Sequence, residues 1–356
     1  MNNLDDQENI KKLDTADVLG SIEQLGSQCR QAWEEINKLA FPDKYRRVEK
    51  IVFSGMGGSA LGAYVVKSLF FDTLKIPFEI VNDYHLPAFT DEKTLVVLGT
   101  YSGTTEETLS CAYEAKEKGA CLTAITTGGK LGEFLEANSF PAYIFSPRYN
   151  PSNQPRLGSG YSIFGLATML KLLQIINFSD KEFDLIQKTL DQGNKLFGKD
   201  CLSQNNPAKL LAQKWENKIP IIVTAEFLTG VGRVIRNQIH ETAKSFAACH
   251  DIPELNHHLM EGLSNPQTNK EQLKFLFLQS DFYSERIKKR FQITRKVIEQ
   301  SHIEITPFFS KSESKLSQVF EAVQFGAYVN FYMAMIYGVD PSLIPWVDLF
   351  KKELKN

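Results

Sequence analysis

Short apolar runs rich in β-branched and aromatic residues recur through the first half of the chain, and stretches with helical spacing, such as 105–119, separate several of them. Strand–helix alternation of this kind predicts a mostly parallel sheet with helices on both faces. The predicted strands of this half are 51–55, 78–82, 94–103, 121–129 and 142–146.

The same texture returns in the second half, after a polar region at 178–206 that we interpret as the inter-domain connection. The predicted strands there are 219–226, 273–280 and 303–309, and the predicted helices of the whole chain include 14–40, 161–177, 229–244, 280–301, 313–337 and 345–355. Because 356 residues exceed what one hydrophobic core usually supports, we predict two α/β domains. Their ranges are 46–197 and 198–356, preceded by a helical segment at 1–45.

Composition narrows the class of protein. The chain carries 40 basic and 42 acidic side chains, a net charge of -2, so it has no electrostatic footprint for nucleic acid. Five scattered cysteines without a CxxC pair argue against a disulfide framework or a zinc site. The polar, acidic start and the lack of any long apolar run predict no signal peptide and no membrane association. We therefore expect a cytoplasmic protein.

The sequence GMGGSALG at 55–62 directly follows a predicted strand and precedes a helical stretch. Its glycines allow backbone amides to approach an anion at the positive end of that helix. The pattern Gly55-x-Gly57-x-x-Ala60 also matches a dinucleotide fingerprint, with Asp83 as a possible ribose contact. A purely structural strand-to-helix turn is the third interpretation, and this motif alone does not separate the three.

The sequence TYSGTTEET at 100–108 is a run of hydroxyls at the start of another predicted helix. The hydroxyls of Thr100, Ser102, Thr104 and Thr105, together with backbone amides, can bind a phosphate monoester without a basic patch. The alternative is a helix cap by Thr104 or Thr105. Since capping needs one hydroxyl and the turn offers four, phosphate binding is favoured.

The sequence resembles the bifunctional phosphoglucose/phosphomannose isomerases, members of the sugar isomerase (SIS) domain superfamily. Besides the two motifs above, the resemblance rests on PR at 155–156, NQIHETAK at 237–244, PELNHH at 253–258 and GVDP at 338–341. It implies two SIS-type domains and a phosphorylated hexose substrate. It also implies a homodimer. Proton transfer needs no metal and the sequence has no cluster of metal ligands, since His240 and Glu241 are adjacent, so we expect neither metal nor cofactor.

The resemblance further implies roles for individual residues. Glu241 matches the glutamate that moves a proton between C1 and C2, and Arg156 matches the arginine beside the enediolate oxygens. His257 matches a ring-opening histidine that the neighbouring subunit supplies, and Lys351 matches a lysine that assists it. The expected phosphate-binding residues are Gly57, Gly58, Ser59, Thr100, Ser102 and Thr105.

Some positions depart from the family pattern. Thr100 stands in place of a serine, Thr104 and His258 in place of asparagines. His258 and Lys352 compete with their neighbours for the two ring-opening roles; in an extended segment, only one of the adjacent histidines would face the site.

We predict an aldose–ketose isomerase that interconverts glucose 6-phosphate with fructose 6-phosphate, and the resemblance extends the expected substrates to mannose 6-phosphate. A non-catalytic sugar-phosphate sensor is the first alternative, and it would need neither Glu241 nor His257. A dinucleotide-dependent oxidoreductase is the second, and it would leave the hydroxyl turn unused.

Overall fold

The computed structural model describes residues 4–354, and the first half of the chain forms a five-stranded parallel sheet of order β2-β1-β3-β4-β5. Each strand coincides with one of the predicted apolar runs. The strands are β1 (Lys50–Gly55), β2 (Phe78–Val81), β3 (Thr94–Thr100), β4 (Cys121–Thr126) and β5 (Tyr143–Ile144).

Helices cover both faces of this sheet. The alternation of side chains along a strand sends Ile51 and Phe53 into one buried cluster and Val52 into another, where it meets helices on the opposite face. The helices of this half are α1 (Gln7–Leu13), α2 (Val18–Glu23), α3 (Leu25–Ile36), α4 (Leu61–Leu69), α5 (Glu106–Glu117), α6 (Gly129–Ala137) and α7 (Gly165–Leu172). The predicted helix at 14–40 is therefore two helices, and α7 is preceded by a π-helical turn at Gly160–Phe164.

The second half forms a four-stranded parallel sheet of order β7-β6-β8-β9. Its strands are β6 (Ile219–Ala225), β7 (Ala248–Ile252), β8 (Leu273–Ser280) and β9 (Glu304–Ser310). Strand β7 was not predicted, because it is a half-buried edge strand whose sequence ACHDI lacks an apolar run. The two sheets and their helices confirm the predicted α/β class.

The segment interpreted as a connection is instead helical. Residues 178–206 contain α8 (Asp180–Phe197), an 18-residue helix that begins where the Glu182 side chain accepts a hydrogen bond from Ser179 N. Its buried residues Ile186, Leu190 and Phe197 recur at helical spacing, and this stripe packs against α14. The helices of the second half are α8, α9 (Pro207–Lys214), α10 (Thr229–Thr242), α11 (Leu259–Gly262), α12 (Asn269–Gln272), α13 (Glu285–Gln300), α14 (Lys315–Tyr337) and α15 (Pro345–Glu353).

The two halves pack closely where α4 meets α10. A Cβ atom on Gly230 would lie 2.4 Å from the carbonyl oxygen of Tyr64, so this crossing needs a glycine. The Ser68 hydroxyl, on α4, accepts a hydrogen bond from Gly230 N and donates to Phe227 O. One buried apolar cluster extends from the N-terminal helices through both sheets. Among residues 4–354, no helix is both long and apolar enough to cross a membrane.

Candidate active site

Two turns meet at the carboxyl edge of the first sheet. The glycine turn (57–60) connects β1 to α4, and the hydroxyl turn (100–105) connects β3 to α5. Because β1 and β3 are parallel neighbours, both turns leave the same edge of the sheet. The Ser59 hydroxyl accepts a hydrogen bond of 3.0 Å from Tyr101 N, which joins the turns directly. The edge is thus a single surface, as a shared phosphate site requires.

The hydroxyl turn is held by paired side chains. Thr100 is buried and its hydroxyl lies 2.8 Å from that of Thr105, while Ser102 and Thr104 pair at 3.0 Å on the exposed side. Thr105 occupies the N-cap position of α5 but makes no capping hydrogen bond. For Thr105 the helix-cap interpretation is therefore wrong. The N-terminus of α5 points at the same exposed hydroxyls, which favours an anion there.

A pocket lies between these turns and the segment 155–162. The glycine turn touches this segment so closely that a Cβ atom on Gly58 would lie 2.8 Å from the backbone nitrogen of Arg156. The expected phosphate-binding turn thus contacts the segment that carries the arginine. The residues lining the pocket include Gly58, Ser59, Tyr101, Pro155, Gly158 and Ser162.

Arg156 is buried, and acceptors within the protein surround its guanidinium. Burial lowers its pKa from the ordinary value, and the charge of Glu241 opposes that shift, so the group stays protonated. The burial of Arg156 excludes a role as one half of a surface ion pair. Its donors are Nε to Thr242 Oγ1 (3.1 Å), Nη1 to Gln154 Oε1 (2.9 Å) and Glu241 Oε2 (3.3 Å), and Nη2 to Pro341 O (2.7 Å) and Ser342 O (3.0 Å).

Glu241 lies in the last turn of α10, in the second half of the chain, and contacts Arg156. Its side chain is 26% exposed, while that of Arg156 is 0% exposed. Gln238, one turn earlier, donates to the carbonyl oxygen of Arg156 at 2.9 Å. Helix α10 therefore forms hydrogen bonds with both the backbone and the side chain of Arg156. This contact places a partly exposed carboxylate next to the guanidinium of an arginine whose backbone packs against Gly58.

The two expected ring-opening residues are exposed and lie on other elements than Arg156 and Glu241. His257 is exposed at the end of a short helical turn, Glu254–His257, so the argument from alternating side chains in an extended segment does not apply here. Its neighbour His258 lies 3.8 Å from Glu254. Lys351 and Lys352 are both exposed on α15, and no described residue of that helix is buried.

Four residues of the cluster escaped the sequence analysis: Gln154, Thr242, Lys244 and Asp340. Lys244 donates to the carbonyl oxygens of Thr242 (3.2 Å) and Asp340 (2.5 Å). Partial burial lowers the pKa of Lys244 to about 8, and the nearby charge of Arg156 acts in the same direction. Three of the four lie inside motifs already quoted, NQIHETAK and GVDP, and that position was the available signal. Within residues 4–354, no group of three or more His, Cys, Asp or Glu side chains could hold a metal ion.

Comparison with known proteins agrees with this architecture. The SIS domain family matches residues 44–132, and the bacterial phospho-glucose isomerase C-terminal SIS domain family matches residues 204–354. A hypothetical protein from Thermus thermophilus has a solved structure that superposes with a TM-score of 0.75 at 15% identity, covering 98% of this chain and 93% of that one. At that identity the likeness shows the fold alone.

Relatives with higher sequence identity show the family as well as the fold. A bifunctional phosphoglucose/phosphomannose isomerase from Caldicellulosiruptor bescii is 34% identical over 94% of this chain and 98% of its own. A relative of the same name from Thermoplasma acidophilum is 29% identical over 93% of this chain and 99% of its own. Identity at this level along nearly the whole length of both proteins shows common membership. The chain belongs to the bifunctional phosphoglucose/phosphomannose isomerase family.

Proposed function

We propose that this protein interconverts glucose 6-phosphate and mannose 6-phosphate with fructose 6-phosphate by proton transfer between C1 and C2. The observation that carries the proposal is the 3.3 Å contact between Arg156 and Glu241, made next to a glycine turn that packs on Arg156 itself. It supports a site with an anion cradle, a fixed cation and an accessible carboxylate in one place. Those are the three groups that an enediolate mechanism uses.

The 6-phosphate binds between the two turns. The amides of Gly57 and Gly58 and the hydroxyls of Ser59, Ser102 and Thr105 supply donors, and the α5 N-terminus adds a favourable field. Thr100 acts differently from the others, because it is buried and hydrogen-bonded to Thr105. Its role is to orient that hydroxyl.

Glu241 moves the proton. It takes the proton from C2 of the open-chain aldose, the C2–H electron pair becomes the C1=C2 bond, and the C1 oxygen accepts the displaced charge. The proton on the C2 oxygen moves to the C1 oxygen, and Glu241 returns its proton to C1 to give the ketose. Glucose and mannose phosphates differ only at C2, so both pass through one planar enediolate, and a site that tolerates rotation about C2–C3 serves both.

Arg156 stabilises the enediolate through a change of partner. In the free protein its Nη1 donates to the ionised Glu241. When Glu241 takes up the proton, its charge is lost and a negative charge forms on the substrate oxygen nearby. The guanidinium thus faces the Glu241 carboxylate before the step and the enediolate oxygen after it. Because it pairs with one negative charge in both states, it lowers the cost of forming the charge on the substrate.

Ring opening is assigned to His257 and Lys351, with a homodimer as the active unit. His257 is exposed at the end of the helical turn Glu254–His257. This placement supports a histidine that acts in the site of a second subunit. Lys351, on the exposed helix α15, is the second residue assigned to ring opening.

Three broader assignments accompany the function. We propose SIS-type domains at 46–197 and 198–356 behind the segment 1–45; residues 1–3 and 355–356 lie outside the described part. We propose the cytoplasm as the compartment, consistent with a substrate that is a phosphorylated sugar. A metal and a cofactor are not required, because proton transfer needs neither.

The test is a coupled assay for glucose 6-phosphate formation from fructose 6-phosphate, run with a chelator and without added cofactor. Turnover supports the isomerase. Tight fructose 6-phosphate binding without turnover would favour the sugar-phosphate sensor. A nicotinamide cofactor titration followed by fluorescence addresses the oxidoreductase alternative, and saturable binding there would count against the proposal.

A further inference from the structure

Three successive backbone carbonyls at 340–342 converge on two cations. Lys244 Nζ donates to Asp340 O at 2.5 Å, and Arg156 Nη2 donates to Pro341 O at 2.7 Å and Ser342 O at 3.0 Å. Carbonyl oxygens carry partial negative charge, so their convergence favours cations at this point. The turn at 340–342, which begins inside the GVDP motif, therefore binds both cations.

The side chain of Asp340 holds this turn in shape. One carboxylate oxygen accepts from Ser342 N (2.7 Å) and from the Ser342 hydroxyl (2.6 Å), which closes the turn on itself. The other accepts from the Thr15 hydroxyl at 2.5 Å, so the N-terminal segment is tied to the same point. Burial by itself would raise the pKa of Asp340, but the hydrogen bonds from Ser342 and Thr15 outweigh it and the pKa lies below its ordinary value. The turn therefore keeps an ionised anchor at neutral pH.

Thr242 accepts hydrogen bonds from both cations. Its hydroxyl accepts from Arg156 Nε at 3.1 Å, and its carbonyl accepts from Lys244 Nζ at 3.2 Å. Thr242 is the last residue of α10 and directly follows Glu241. A cation on the last carbonyls of a helix is favourable, because it meets the negative end of the helix dipole. Both cations thus hold the helix end that carries the carboxylate.

We propose that Lys244 and Asp340 are positioning residues for Glu241: with the 340–342 turn they fix Arg156 so that its Nη1 faces the carboxylate. The inference rests on the proposed function. It assigns a purpose to the GVDP motif and to the lysine of NQIHETAK. Neither residue touches the substrate in this scheme, and both act through Arg156 and the end of α10.

The ammonium of Lys244 also gives the arrangement a pH limit. The charged groups that face it are Arg156, Glu241 and Asp340, and the combined effect of burial and Arg156 lowers its pKa to about 8. Above that pH, Lys244 loses its charge and its strong contact with the turn. Arginine in its place would not titrate in this range.

The experiment compares Lys244→Met, Lys244→Arg and Asp340→Asn with the wild type, and uses Lys181→Met, an exposed lysine on α8, as the matched control. Turnover of fructose 6-phosphate is measured from roughly pH 6 to 9.5. We expect Lys244→Met and Asp340→Asn to lower kcat by about 10- to 100-fold with little change in KM, since the carboxylate is misplaced while the phosphate site is intact. We expect wild-type kcat to decline above about pH 8. Lys244→Arg should keep most of the activity and lose that decline.

Thermal melting accompanies each variant; if Lys244→Met fails to fold, the pH profile of Lys244→Arg decides. If the wild type is active and the kcat of Lys244→Met lies within about twofold of it, this inference is overturned while the proposed function stands. An alkaline decline in kcat that is unchanged in Lys244→Arg has the same consequence. A wild type without isomerase activity overturns the proposed function, and this inference with it.

Discussion

Arg156 and Glu241 lie 85 positions apart in the chain, and their side chains meet at 3.3 Å. The arginine comes from the segment that follows the first sheet, and the glutamate from the end of a helix that belongs to the second. Arg156 is the fully buried partner and Glu241 the partly exposed one. The pair therefore combines a rigid cation with a carboxylate that a ligand can reach.

Replacing Glu241 with Gln should remove turnover and leave binding in place. The Gln side chain keeps an oxygen that can accept from Arg156, but it has no carboxylate to take a proton from C2. We expect kcat to fall by roughly 10³-fold or more. Calorimetric titration should show fructose 6-phosphate affinity close to that of the wild type. Glu136→Gln, an exposed position on α6, is the control, and full activity in Glu241→Gln would remove this residue from the mechanism.

Replacing Gly58 with Ala should weaken the phosphate site by steric pressure. The added Cβ would lie 2.8 Å from Arg156 N and 3.1 Å from Arg156 Cα, and backbone atoms cannot move aside cheaply. We expect a loss of about 1–3 kcal/mol in unfolding free energy and a raised KM. Gly262→Ala is the matched control, because a Cβ there meets nothing within 4 Å. Equal kinetics in the two variants would contradict the close contact.

A mixture of two inactive variants should regain activity if the site is shared between subunits. Glu241→Gln and His257→Asn damage different residues, so a mixed dimer keeps one intact site out of two. With random assortment after mild denaturation and refolding, the activity should reach about a quarter of the wild-type value. His258→Asn is the neighbouring control and should keep most of its activity. Absence of recovery, with mixed dimers verified by tag pull-down, would show that His257 serves its own subunit.

Replacing Lys209 with Met should destabilise the fold without touching the site. The Lys209 side chain is 0% exposed and donates to Asp5 Oδ1 (2.8 Å) and to the carbonyls of Lys199 and Cys201 (2.9 Å each). Removing it takes one donor from the Asp5 carboxylate and the Lys donor from two carbonyls, and we expect a loss of roughly 3 kcal/mol in denaturant unfolding. Lys214→Met, on the same helix α9 but at an exposed ion pair with Glu304, should cost less than about 1 kcal/mol.

The contact between Lys209 and Asp5 also predicts how the free energy of unfolding depends on pH in the acid range. Burial raises the pKa of Asp5, but its hydrogen bonds from Lys209 and Ser203 outweigh that effect and hold the pKa below its ordinary value. A folded-state pKa below the unfolded one contributes stability above about pH 4, which is lost as the pH falls through the folded value. The slope of unfolding free energy against pH in this acid range should be shallower in Asp5→Asn than in the wild type. Parallel slopes would mean that Asp5 contributes nothing there.

The central strands were predictable because each is a mostly buried apolar run, and such a run identifies itself locally. The failures have the same physical origin. Strand β7 is half-buried at a sheet edge and contains His250 and Asp251, so it lacks the expected texture. The helix α8 carries many charged residues, and its narrow apolar stripe was overlooked among them.

The candidate site likewise contains features that the local sequence reveals and features that depend on tertiary contacts. The two turns could be identified from sequence because glycines and hydroxyls cluster within a few residues of each other. The role of Thr100 could not, because it depends on the burial of one hydroxyl against Thr105. His258 and Lys352 remain alternatives that only variants at these positions can separate from their neighbours.

The sequence alone determined the α/β class and the glycine and hydroxyl turns, because these depend on neighbours along the chain. The acid and base candidates followed from the resemblance to the family. Tertiary structure decided that Arg156 is buried, that Glu241 is its partner and that Lys244 and Asp340 join them. Those contacts link the segment 155–162, the end of α10 and the turn after α14. Which loops meet is set by strand order and helix packing, and no local pattern of residues encodes it.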